Sequence, residues 1–112
     1  MSPTFNEVVV TTATVMDLDA SERLESDVAS AISLGNVAIV LDLEAVALVT
    51  PEAVPILLAA VGRASAHGKL IIVSGLPQLR ALLLSSPEFG QAQLVATRAA
   101  ADKLLNSDEN LP

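Results

Sequence analysis

Val37-Ala38-Ile39-Val40-Leu41-Asp42-Leu43, followed a few residues later by Thr50-Pro51-Glu52-Ala53-Val54, is the stretch that decides the fold. The first piece is an almost unbroken apolar run. A strand flanked by neighbours and covered on both faces reads this way, because neither set of alternating side chains meets water. The second piece has the chemistry of a helix start. Thr50 is suited to cap, Pro51 fits the first helical position, and Glu52 faces the positive end of the helix dipole. That helix is expected to run to about His67 and stop at Gly68. A buried strand leading into a helix is the unit of a parallel α/β sheet.

The same alternation continues on both sides. Upstream, residues 8–13 are rich in β-branched side chains and predict a strand. After the turn at 17–21 a helix is expected over about 22–33, with Leu24, Val28 and Ile32 on one face and Gly35 in the left-handed position after its end. Downstream, Lys69–Val73 predicts a second buried strand and Gly75-Leu76-Pro77 a turn. A third helix is expected over about Pro77–Leu84, ending before Pro87. Gln93–Val95 predicts a short strand, and Thr97 caps a last helix through about Leu105. Residues 107–112 are expected to form a frayed, flexible tail. The outcome is one α/β domain over residues 1–106, with a mostly parallel four-stranded sheet, about four helices and right-handed crossovers.

Composition bounds the function. The 112 residues suffice for one core, and 52% apolar with 17% charged residues argues against disorder. The apolar runs are short, however: one stops at Asp42 and another lies between Glu52 and Arg63, far from the roughly 20 residues of a membrane span. The start of the chain has no basic segment followed by an apolar one, so a cytoplasmic location is expected. The absence of cysteine removes disulfides, thiolate metal sites and cysteine nucleophiles. A net charge of −7, with no Trp or Tyr and two Phe, does not suit nucleic-acid binding, which needs clustered cations and stacking platforms.

Leu41-Asp42-Leu43 and Val46, with Thr50-Pro51-Glu52-Ala53-Val54 after them, resemble the signature of STAS domains, the fold of bacterial anti-sigma factor antagonists. In that family a strand of the form "LDLsgV" precedes "DSSGL" at a helix start. Val15-Met16-Asp17 and Leu24 resemble the family's "ELD" turn and first helix. Residues 64–75 resemble its helix end, glycine and "vLvG" strand, and Pro77-Gln78-Leu79-Arg80 resembles the next helix start. The resemblance covers about residues 8–105. It implies a non-catalytic regulatory module, without cofactor, that binds an anti-sigma factor or related kinase-fold regulator, as a monomer or weak homodimer. It also implies a docking surface at Asp17, Ser21, Thr50, Pro51, Glu52 and Ala53. Regulatory members are phosphorylated on the second serine of "DSSG"; that position is Glu52 here, preceded by Pro51 and Thr50 and followed by Ala53. The family's extra first strand is either missing or reduced to residues 3–5.

Glu52 admits three readings: a dipole-complementing first-turn acid, a partial phosphate mimic, or a position no kinase can switch off. A carboxylate has one charge and two oxygens where phosphate has roughly −1.5 to −2 and three. Thr50 is an N-cap or a phosphorylatable hydroxyl. His67, the one histidine, is expected as a last-turn cation and not a metal ligand. Asp42 ends a strand where α/β sites gather, yet it has no base, nucleophile or phosphate loop beside it and reads as structural. Ser85-Ser86 reads as loop, and Gly75-Leu76-Pro77 is not a phosphate loop. An accessory STAS subunit of a transport complex and a small-ligand sensor are the alternative functions. The apolar helix at 51–67, with Val54, Ile56, Leu57, Leu58 and Val61 spread around it, is expected to meet either the core alone or another chain as well.

Overall fold

Strands and helices alternate through the computed structural model, which describes residues 6–35 and 38–109. The order is β1 (Asn6–Val10), β2 (Val15–Met16), α1 (Leu18–Ser33), β3 (Ala38–Asp42), β4 (Leu48–Val49), α2 (Val54–His67), β5 (Lys69–Val73), α3 (Pro77–Leu84), β6 (Gln93–Val95) and α4 (Arg98–Glu109). One-turn 3₁₀ segments precede α2 at Pro51–Ala53 and follow α3 at Pro87–Phe89. The expected α/β architecture is present: β1, β3, β5 and β6 form a four-stranded sheet in that order, with every pair parallel. A second, two-stranded sheet of β2 and β4 was not anticipated.

The sheet has two unlike faces. Val9, Ile39, Leu41, Leu70 and Ile72 point to one side and join Leu24 and Val28 of α1, Leu57 and Val61 of α2, and Leu79 and Leu83 of α3 in the main core. Val40, Ile71 and Val73 point to the other side, where they meet Ala101 of α4. Central β3 is buried along its length, which explains its lack of hydrophobic alternation.

Several boundaries differ from expectation for local reasons. The first strand ends at Val10, not near Ala13, because its register partner there is Asp42, the last residue of β3. Helix α1 starts one turn before the expected position. Asp17 caps it, its Oδ1 accepting from the Ala20 N–H at 2.9 Å. Gly35 takes φ +79° after α1, as a left-handed helix terminator requires. Helix α4 runs to Glu109, into the stretch expected to be frayed. Val37 and the proposed extra strand at 3–5 lie outside the described residues.

Candidate functional site

The small β2–β4 sheet brings the two halves of the expected docking surface together. Val15 pairs with Leu48 and Met16 with Val49, so Asp17 and Thr50 emerge side by side. Fully buried Met16 anchors the ribbon, and its carbonyl accepts from the Thr50 N–H at 3.0 Å. The Thr50 hydroxyl donates to the same carbonyl at 3.4 Å. This corrects the reading of Thr50 as a side-chain cap: its backbone holds the cap conformation, but its hydroxyl caps nothing.

Of the six expected positions, Asp17, Pro51 and Glu52 are exposed and Thr50 is half-buried. Glu52 has neither a hydrogen bond nor an ion pair among the described residues. Ser21 and Ala53, by contrast, are fully buried and present no surface in this structure. The Ser21 hydroxyl donates to the Leu18 carbonyl at 2.8 Å, and Ala53 fills the core below the 3₁₀ turn. Both position the surface from beneath. On the outer face of the ribbon the cross-strand partners Val15 and Leu48 are 41% and 51% exposed, and Leu18 is 44% exposed. The sequence did not mark this apolar ridge, because two-residue strands carry no periodic signal.

A different set of charges gathers at the carboxyl end of the sheet. The Asp42 Oδ1 accepts from the Glu44 N–H at 3.0 Å, and its Oδ2 lies 3.5 Å from the Arg98 guanidinium. Arg98 also pairs with Asp102 at 3.3 Å, while its backbone N–H donates to Glu44 at 3.1 Å. Asp42 is thus bound into a latch between β3 and α4, in line with its structural reading. Arg80 donates to the carbonyl of buried Ser74 at 2.8 Å, tying α3 to the end of β5. Among the described residues no group of three or more His, Asp or Glu side chains is placed to hold a metal ion. No described helix is long and apolar enough to cross a membrane.

No protein-family model matches the sequence, and no curated protein matches it. Among solved structures, the anti-sigma factor antagonist SpoIIAA in its unphosphorylated form is similar, with a TM-score of 0.64 at 14% sequence identity. The match covers 99% of this chain and 96% of that one. At such low identity what is shared is the path of the backbone, over practically the whole length of both chains. The chain therefore has the STAS fold, the α/β architecture of the anti-sigma factor antagonist SpoIIAA.

Proposed function

We propose that this protein is a non-catalytic regulatory binding module, anti-sigma factor antagonist-like, that docks on an anti-sigma factor or related kinase-fold regulator in the cytoplasm. The observation that carries the reading is the start of α2. Pro51 and Glu52 project into solvent beside Asp17, on a ribbon whose outer face adds Val15 and Leu48. An apolar ridge flanked by exposed carboxylates has the make-up of a protein contact: the ridge excludes water and the charges set orientation. Glu52 occupies the position where the family's regulatory members carry the phosphorylated serine, so the surface holds a fixed negative charge that no kinase adds or removes. Docking would sequester the regulator and release its sigma factor.

The test is capture from native lysate on wild-type, Glu52→Ser and Glu52→Ala baits, with mass-spectrometric identification. Recovery of a kinase-fold anti-sigma factor, in amounts that differ among the three baits, is the expected result. Preferential recovery on Glu52→Ser and Glu52→Ala would make the native carboxylate a mimic of the phosphorylated state; preferential recovery on wild type would make it a binding determinant. Transporter subunits recovered equally on all three would sink the antagonist reading in favour of an accessory subunit.

A further inference from the structure

Strand β1 lies at one edge of the four-stranded sheet, and among the described residues it pairs with β3 alone. The opposite edge, β6, is blunted by being three residues long. Strand β1 has no such guard. Over Asn6–Val10 it carries neither lysine nor proline, and its one-to-one register with β3 contains no bulge. The Thr11 N–H donates to the Asp42 carbonyl at 3.1 Å. By alternation along the strand, Val9 also turns its backbone groups to β3, while Val8 and Val10 turn theirs to the open edge. The Val10 residue there is 52% exposed.

Two hollows of about 250 and 210 Å³ run along this edge between β1 and α1. Residues 8–10 with Asp27, Ser30, Ala31 and Leu34 line the first, and residues 10–13 with Ala20, Arg23, Leu24 and Asp27 the second. Val10 and Asp27 line both, so the two form one furrow. Arg23 and Asp27 stand exposed on its wall, and neither has a hydrogen bond or ion pair among the described residues. Four helical residues rise about 6 Å, nearly the roughly 6.7 Å that two strand residues span. An added strand therefore meets Arg23 and Asp27 with two side chains of one face, at positions i and i+2.

We infer that the open edge of β1 takes an extended segment of a partner protein as an added antiparallel strand, with an acidic side chain on Arg23 and a basic one, two residues later, on Asp27. The outward N–H and C=O groups of Val8 and Val10 call for a strand, and the furrow gives it side-chain selectivity. The order of charges follows from direction: Arg23 lies toward the carboxyl end of β1, which an antiparallel strand reaches first. Two residues beyond the base, an apolar side chain meets Ala31 and Leu34. A second copy of β1 is the poorer occupant. A two-fold axis through the edge would set α1 beside its own copy, with Asp19, Glu22, Glu25 and Asp27 against Arg23 on each. None of the furrow residues belongs to the β2–β4 ribbon or the α2 start, so this edge stands or falls apart from the regulator proposed above.

The ¹⁵N-labelled full chain would be titrated with the acetylated, amidated heptapeptide Thr-Glu-Val-Lys-Val-Leu-Thr and with its charge-exchanged isomer Thr-Lys-Val-Glu-Val-Leu-Thr. The first should shift the amides of Val8, Val10, Arg23 and Asp27, leave Glu52 unmoved, and bind about fivefold more tightly than the isomer, as two exposed ion pairs allow. Arg23→Asp combined with Asp27→Arg, which keeps the net charge, should reverse the preference. Val10→Pro removes an outward N–H and no bond to β3, so with its fold confirmed by the amide spectrum it should lose both peptides. Equal affinities, absent shifts, or shifts centred on Val15, Leu48 and Glu52 would overturn the inference. So would shifts at Val8 and Val10 that grow with protein concentration before any peptide is added, which would give the edge to a second copy.

Discussion

Thr97 stands before α4 and Thr50 before the 3₁₀ turn that leads into α2, and the molecule treats these two starts in opposite ways. At the start of α4, Thr97 Oγ1 accepts from the Ala100 N–H at 3.2 Å, Glu44 receives the Arg98 N–H, and the Arg98 side chain is held between Asp42 and Asp102. At the start of α2, Thr50 turns its hydroxyl away and Glu52 stands unpaired in solvent. The anchoring below them is reversed. Helix α2 sinks Leu57, Ala60, Val61 and Ala64 into the main core. Among the described side chains of α4, Ala101 alone is fully buried. A helix held by its body leaves its start available for a partner, while a helix with little apolar anchorage must be held by its start.

The largest effect should come from the body of α2. Leu57→Ala removes a fully buried side chain from the main core and should cost about 2–5 kcal/mol in urea denaturation. If the loss were under about 1 kcal/mol, α2 would not be held by its body and the contrast would collapse.

At α4 the sensitive residue should be Arg98. Arg98→Ala strips a partially buried Asp42 of its cation and leaves the Glu44 N–H as the one donor to its carboxylate among the described residues. A loss of about 1–3 kcal/mol is expected. Hydrogen exchange should speed up in α4 and along the sheet face at Val40, Ile71 and Val73 while leaving α2 protected. Uniform acceleration across both helices would show that the latch supports the whole domain and not one face.

Much of this architecture is legible in the sequence because the punctuation is local. Gly68, Pro77 and Thr97 mark the ends of Lys69–Val73, Pro77–Leu84 and Gln93–Val95, and the structure places those elements as expected. The α2 start was legible for the same reason. What escaped depends on pairing across the chain. The β2–β4 ribbon consists of two residues against two, too short for any periodicity, yet it seats Asp17 beside Thr50. Asp42 and Arg98 are 56 residues apart, and nothing near either residue announces the other. The burial of Ser21 and Ala53 was hidden because small side chains suit a contact surface and a tight interior equally well.

The finest distinction between the two helix starts lies in the threonines themselves. Thr97→Ala removes the acceptor for an otherwise unpaired first-turn N–H and should cost about 1 kcal/mol, as helix caps commonly do. Thr50→Val keeps the β-branched shape and removes only a long bond to a carbonyl that the Thr50 N–H already engages at 3.0 Å. Its cost should stay below about 0.5 kcal/mol, since the backbone bond satisfies that carbonyl without it. Thermal denaturation of both variants under one buffer decides the matter. Equal losses would mean that the Thr50 hydroxyl is a structural element of the α2 start. A loss confined to Thr97→Ala would mean that the α2 start is held by Met16 and the core beneath it, leaving Pro51 and Glu52 free to be chosen for what they contact.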